Sequence, residues 1–272
     1  MNSSPAPHLF ADGKKEAWQQ KLTAYEYILF FTDYDGTLAS FHPDPASAYP
    51  LPEIPELLKA LKARLPCSPT IITGRRPEDI RELMPDPSLP VAGLHGLLYL
   101  PEDKDRSQEL PQEMPEISLE VITKMKELCE KSTKLRLEDK GILKAIHFNE
   151  EISGKKDEIK RDLENMLKDM DWEVISGHRV LEIRPENWHK GRAVKTLRRR
   201  YAARLNCNPR DCLAIYAGDD ITDEDVFRNL SNPRLTVHIQ NEDNMMSAAD
   251  YLLSSPSEMS SFLEEVYDIL YL

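Results

Sequence analysis

The sequence predicts an α/β fold, with a doubly wound parallel sheet as its core and a smaller α/β cap domain inserted into it. Three observations carry that expectation. Short apolar runs at 27–31, 70–72 and 213–217 each break into a polar turn bearing Asp, Thr or Gly, as buried strands do where they reach a ligand-binding edge. Between the first two, apolar residues recur at helical spacing, giving a strand-helix-strand crossover. The middle of the chain repeats a helix followed by two strands, a unit able to close on its own core.

At 272 residues the chain is long enough for one domain plus an inserted one. The core is expected at 1–99 and 185–272 and the insertion at 100–184, because 100–115 turns acidic, polar and Pro-rich. A net charge of −12 disfavours nucleic acid and anionic membranes as partners. Cys67, Cys129, Cys207 and Cys212 form no CxxC pair and no metal-ligand spacing with His, which predicts free thiols in a reducing compartment. With no apolar leader in residues 1–20 and no apolar run of about 18 residues, a cytoplasmic location is expected.

Taken in order, residues 1–14 read as a loose tail, and Trp18, Leu22 and Tyr25 as a short helix packed on the core. The run from Tyr27 to Phe31 then ends in Asp33-Tyr34-Asp35-Gly36-Thr37. Two acids flanking one residue repel unless a cation, a bound proton or basic side chains compensate. A hard divalent ion such as Mg2+ is the economical answer. Residues 41–55 are Pro-rich and read as a connection over the mouth of the site. Leu57, Leu58, Leu61 and Leu65 mark a helix, and the next strand ends at Thr73-Gly74-Arg75. Pro77, Glu78 and Asp79 suit a first helical turn, which sets the Thr73 hydroxyl near a helix N-terminus, a natural seat for phosphate. Val91 to Gly96 is a short strand leading to His95, where flanking glycines permit close backbone approach.

The inserted segment opens with a helix carrying Ile117, Val121, Met125 and Leu128, followed by strands near 134–137 and 142–148. A second helix with Ile159, Leu163, Met166 and Leu167 precedes strands at 172–175 and 180–183. This pattern makes an α/β sandwich with one open sheet face. Glu138 and Lys140 flank one residue and would share a face of a strand. A solvated charge pair is the alternative for these two and for Glu182, and His147 reads as a packing histidine.

Back in the core, Lys190 opens a helix with Ala193, Val194, Leu197, Tyr201 and Leu205 on one side. That placement, at the positive end of a helix, suits an anion-binding lysine. Lys195, Arg198, Arg199, Arg200 and Arg204 read as a solvated basic face. The strand at 213–217 delivers Asp219 and Asp220. Thr222 and Asp225 suit a capping box for the next helix, whereas Asp219, Asp220 and Asp223 together call for a cation. Strands at 235–239 and 251–253 and a helix with Met259, Phe262, Leu263 and Val266 end the pattern.

Asp33-Tyr34-Asp35-Gly36-Thr37, Thr73, Lys190 and Gly218-Asp219-Asp220 follow one another in the order of the four motifs of haloacid dehalogenase-like phosphohydrolases, which the chain resembles. Gly93-Leu94-His95-Gly96, Glu138-Asp139-Lys140-Gly141 and Val180-Leu181-Glu182-Ile183-Arg184-Pro185 are similar to stretches of the trehalose-6-phosphate phosphatase branch. The resemblance runs from Tyr27 to Leu253. Ile142 and Phe148 depart from it, standing where a small polar residue and a tyrosine are expected.

The resemblance implies Asp33 as a nucleophile that forms an aspartyl-phosphate, Asp35 as acid and base, and Thr73 and Lys190 on the phosphoryl oxygens. It implies Mg2+ at the cluster of Asp33, Asp35, Asp219, Asp220 and Asp223, and substrate contacts from Gly74, Arg75, His95, Gly96, Glu138, Lys140 and Glu182. The implied reaction hydrolyses trehalose 6-phosphate, a small-molecule sugar phosphate; a monomer is expected. Sucrose-phosphate and mannosylglycerate-phosphate phosphatases, a phosphomutase and a non-catalytic sugar-phosphate-binding regulatory domain stand as alternatives. Whether a trehalose-phosphate synthase associates with the chain is left open.

Overall fold

Tyr27–Thr32 (β1) sends Ile28 and Phe30 into one hydrophobic cluster and Leu29 and Phe31 into another. A strand buried on both faces requires cover on both sides of its sheet, and the architecture follows from that demand. The computed structural model describes residues 6–42, 44–102, 108–109, 117–130, 132, 134–148, 154–177, 180–241 and 246–271. The chain divides into two units, Met1–Leu110 with His189–Leu272, and Pro111–Trp188. Of the acidic boundary read at 100–115, most lies outside the described residues.

After β1 the strands are Thr70–Ile72 (β2), Val91–Gly93 (β3), Leu98–Leu100 (β4), Gln108–Glu109 (β5), Leu135–Asp139 (β6) and Lys144–Phe148 (β7). Trp172–Gly177 (β8), Val180–Pro185 (β9), Cys212–Gly218 (β10), Arg234–Ile239 (β11) and Tyr251–Leu253 (β12) complete the set. The first unit holds an eight-stranded sheet in the order β12-β11-β10-β1-β2-β3-β4-β5. From β12 to β3 every pairing is parallel, and β4 and β5 are antiparallel additions at one edge.

On one face lie Lys14–Thr23 (α1), Ile54–Lys62 (α2), Pro77–Leu83 (α3) and Pro256–Tyr271, which packs through Met259, Phe262, Leu263 and Val266. The opposite face is covered by Lys190–Arg204 and Ile221–Asn229, through Val194, Leu197, Tyr201, Val226 and Phe227. In β10, Leu213, Ile215 and Ala217 join the first cluster and Cys212, Ala214 and Tyr216 the second, so β10 and β1 form a doubly buried centre.

The second unit is a four-stranded antiparallel sheet, β6-β7-β9-β8. Leu119–Glu130 (α4) and Lys156–Leu167 (α5) pack on it through Val121, Met125, Ile159, Leu163 and Leu167. Among the described residues, α6 (Lys190–Arg204), α7 (Ile221–Asn229) and α8 (Pro256–Tyr271) follow in the first unit. Glu138, Ala145, Glu182 and Ile175 are in register across the four strands and so share the face turned away from the apolar side chains Leu137, Ile146, Leu181 and Ile183.

Two expectations need correction. The N-terminal stretch is not loose throughout, because Leu9 N–H donates to Leu252 O at 2.8 Å and Leu252 N–H to Pro7 O at 3.0 Å. Residues 7–9 thereby cover the edge of β12, whose backbone groups would otherwise lack partners. Arg198 is not part of a solvated face. It is buried, and its guanidinium donates to the carbonyls of Ser231, Cys212 and Pro233, tying α6 to the entry of β10.

Trp18 shows how α1 is held. It is fully buried, its indole N–H donates to Leu9 O at 3.2 Å, and its ring meets Phe262 edge-on at 5.4 Å. Trp18→Ala is expected to lower the free energy of unfolding by about 3–5 kcal/mol, the usual cost of deleting a buried large aromatic, measured as a shift in the urea midpoint. A change below about 1 kcal/mol would mean that α1 is not part of the cooperative core.

Candidate active site

β10, β1, β2 and β3 run parallel, so their carboxyl ends share one edge of the sheet. Asp33 follows β1 directly, and its N–H donates to Ala217 O on β10 at 2.8 Å. Thr73 follows β2, and its N–H donates to Ala92 O on β3 at 2.9 Å. Gly36 brings the first loop against the loop after β10. Its φ is +73°, and a Cβ built there would lie 2.1 Å from Asp219 Oδ2, so only glycine fits.

At this edge the Lys190 ammonium, at the start of α6, lies 2.8 Å from Asp33 Oδ1 and 2.8 Å from Asp223 Oδ1. Tyr216 donates its hydroxyl to the same Asp223 oxygen. The other oxygen, Asp223 Oδ2, accepts from the N–H groups of Asp219 at 3.1 Å and Asp220 at 2.9 Å. Gly218 makes room for this inward carboxylate, since a Cβ there would sit 2.3 Å from Asp223 Cγ. Asn241, beyond β11, donates to Asp219 O at 2.9 Å and Asp219 Oδ2 at 3.1 Å.

Asp33, Asp219 and Asp223 thus bring three buried carboxylates within 4.8 Å of one another. Burial pushes the Asp33 carboxyl up to about 8, with Lys190 opposing and Asp223 adding to the rise. Burial, then the charges of Asp33 and Asp223, holds Asp219 well above the usual carboxylate range. Burial works against the Lys190 ammonium, but Asp223 and Asp33 outweigh it and raise its pKa. One ammonium does not balance three carboxylates, and Asp219 Oδ1 is buried without a hydrogen-bond partner among the described residues. Clustered oxygen donors with an excess of negative charge and an orphaned oxygen fit a hard divalent cation.

The remaining residues singled out in the sequence divide. Asp220 lies beside the cluster, but its side chain accepts from Ile221 N–H and caps α7. The capping box is formed by Asp220 and Asp223, not by Thr222 and Asp225, because α7 starts two residues earlier than that pairing requires. The Asp35 carboxylate is gripped at both oxygens by Arg75, through Nε at 2.7 Å and Nη2 at 2.6 Å. Arg75 also donates to Pro45 O at 2.6 Å, which fastens the 41–55 connection to this pair.

The Thr73 hydroxyl accepts from Arg75 N–H at 3.1 Å, and Thr73 O accepts from His95 N–H at 2.8 Å. His95 is buried in a left-handed conformation (φ 57°, ψ 25°), with its ring over Gly74, where a Cβ would come within 3.0 Å of it. Gly96 has no room for a side chain, since a Cβ there would lie 2.2 Å from Ala193 Cβ on α6.

In the second unit, Lys140 pairs with Glu182 at 2.7 Å and Glu138 with His147 at 2.6 Å. The His147 hydrogen bond holds the Glu138 carboxyl below its usual range. His147 is therefore a half-buried residue hydrogen-bonded to Glu138 on the polar sheet face and not a packing histidine.

Tyr216 and Asn241 escaped the sequence reading. Tyr216 looks like an ordinary apolar member of its strand, and its hydroxyl reaches Asp223 only because α7 folds back over β10. Asn241 carries one readable cue, a polar residue just past a buried strand parallel to β10.

A profile of the family described as trehalose-phosphatase matches residues 31–266. "Probable trehalose-phosphate phosphatase D" of Arabidopsis thaliana is 27% identical over 302 residues, covering 98% of this chain and 78% of its own length. Two further relatives so described are spanned to 66% and 58% of their lengths. Among solved structures, the C-terminal domain of the Candida albicans trehalose-6-phosphate phosphatase superposes with a TM-score of 0.81 at 22% identity, covering 97% of this chain and 99% of that one. A haloacid dehalogenase-like hydrolase from Bacteroides thetaiotaomicron gives 0.63 at 15% identity, covering 89% of this chain and 100% of that one.

Lys190→Ala leaves Asp33 and Asp223 buried and facing each other without their shared cation. Loss of one partner from such a buried pair is expected to cost about 3–5 kcal/mol of stability, read by urea denaturation at neutral pH. A cost below about 1 kcal/mol would mean that the ammonium does not hold the two carboxylates.

Proposed function

The chain belongs to the trehalose-phosphatase family, and on that premise we propose that it hydrolyses trehalose 6-phosphate to trehalose and inorganic phosphate through an aspartyl-phosphate on Asp33. One observation carries this reading: the Asp33 carboxylate, at the carboxyl end of a central buried strand, sits against Lys190 and within reach of two further carboxylates. A site that only bound sugar phosphate would have little use for so costly a concentration of negative charge. The protein is proposed to act as a cytoplasmic monomer.

In the first half-reaction an Asp33 oxygen attacks phosphorus, the bond from phosphorus to the sugar oxygen breaks, and Asp35 gives that oxygen a proton. In the second, Asp35 takes a proton from a water that attacks the phosphoryl group, and phosphate leaves with Asp33 restored. The Arg75 fork takes one lone pair on each Asp35 oxygen and so fixes the orientation of the carboxyl that makes both transfers. Of the three Lys190 donors, two are directed at Asp33 and Asp223 and the third suits a phosphoryl oxygen. Thr73 is assigned to the same group.

Asp33, Asp219 and Asp223 would hold Mg2+ with the Asp35 backbone carbonyl, while Asp220 serves as a helix cap beside them. Bound there, the ion offsets the repulsion between the Asp33 carboxylate and the phosphate. Glu138, Lys140 and Glu182 are assigned to sugar hydroxyls, since long charged side chains on a polar sheet face can exchange their mutual pairs for a polyol.

Phosphate release from a panel of disaccharide and monosaccharide phosphates tests the substrate. The highest kcat/KM is expected with trehalose 6-phosphate, and equal rates across the panel would exclude the assigned specificity. Asp33→Asn is expected to abolish turnover, and Asp35→Asn to slow it by at least about a hundredfold, the low end of general acid-base assistance. Near-normal release by pure Asp33→Asn protein would refute the nucleophile. Gly36→Ala forces the first loop off Asp219 and is expected to lower kcat by about a hundredfold, as a shift of about 1 Å in a reacting group does. Wild-type kcat in that variant would mean that the contact with Asp219 does not position the loop.

A further inference from the structure

Cys207 and Cys212 lie at the opposite end of β10 from the acid cluster, and the reaction makes no use of them. Their sulfurs are 3.3 Å apart, closer than a non-bonded contact usually brings two sulfur atoms and within a short movement of the ~2.05 Å disulfide bond. Cys207 is part-exposed just past α6, and Cys212 is fully buried as the first residue of β10.

The segment between them is built to hold that geometry. Asn206 sits at φ 55° and turns the chain out of α6, and Cys207 N–H donates to Ala202 O at 3.0 Å. A capping box follows, in which Asn208 Oδ1 accepts from Arg210 N–H at 2.9 Å and Asp211 Oδ2 from Asn208 N–H at 3.0 Å, with Pro209 fixing the turn. Arg198 then anchors Cys212 O at 2.8 Å. A loop stiffened on both sides keeps the two thiols together and removes most of the entropy that ring closure would otherwise cost.

We propose that Cys207 and Cys212 are a reversible oxidation site that closes into an intramolecular disulfide under peroxide and protects Cys207 from irreversible oxidation. Exposure makes Cys207 the thiol that peroxide reaches first. Its thiolate attacks one peroxide oxygen, the O–O bond breaks, and a sulfenic acid and hydroxide form. Cys212 then attacks the Cys207 sulfur, the S–O bond breaks, and water leaves carrying the Cys212 proton. In sum, two thiols and one peroxide give one disulfide and two waters. Burial pushes the Cys212 thiol up to about 12, with Cys207 adding and Arg198 opposing. This favours Cys212 as the resolving partner over the first nucleophile.

A peptide map of the full chain decides the matter. After hydrogen peroxide treatment, alkylation of free thiols and tryptic digestion without reductant, peptides 205–210 and 211–228 are expected joined by a bond that dithiothreitol cleaves. Cys67 and Cys129 are expected alkylated. In Cys212→Ala the Cys207 peptide is expected to progress to sulfinic acid, which dithiothreitol does not reverse. Full alkylation of both thiols in treated wild-type protein would overturn the proposal. So would Cys207 linked to Cys67 or to a second chain, or wild-type Cys207 found as sulfinic acid. The wild-type map suffices if Cys212→Ala does not fold.

Discussion

The Lys190 ammonium, shared between Asp33 and Asp223, is the contact on which the site depends. It joins the start of α6 to the end of β1 and the first turn of α7, three places separated widely along the chain. Burying those carboxylates without it would be prohibitive, and burying it without them would be equally so. The arrangement still leaves an excess of negative charge at Asp219. The fold therefore builds a site whose electrostatics are incomplete, and clustered oxygen donors in that state fit a divalent cation.

Much of the surrounding structure serves to bring these groups together. The doubly buried β1 and β10 set two acidic loops side by side, and the absence of a side chain at Gly36 and Gly218 lets the loops close on Asp219 and Asp223. Asp223 also bonds the N–H groups of Asp219 and Asp220, so one carboxylate both caps α7 and shapes the strand-to-helix turn. Helix capping and the acid cluster thus draw on the same residue. Asp35 stands apart from this cluster, its carboxylate held at both oxygens by Arg75.

The fold class, the order of the parallel strands and the acidic loops were legible in the sequence because strands buried on both faces leave unbroken apolar runs, and the polar residues that end them stand out, whereas the antiparallel edge strands β4 and β5 were not read. Contacts that cross the chain were not legible. Arg198 reads as one more charge in a basic run, and only the fold sends it to backbone carbonyls at Ser231, Cys212 and Pro233. The grip of Arg75 on Asp35 spans two loops, and the His147 partner of Glu138 depends on strand register. At α7 the capping frame read in the sequence, 222 with 225, gives way to 220 with 223, because the helix starts at Ile221. The edge cover from residues 7–9 carries no periodic signal at all.

Calorimetric titration of Mg2+ into the metal-free protein, beside the Asp219→Asn variant, tests the central claim most directly. Saturable binding of a single ion by the wild type, abolished or strongly weakened when Asp219 loses its charge, is the result that a buried and uncompensated acid cluster predicts. Absence of saturable binding, or equal affinity in the variant, would contradict it.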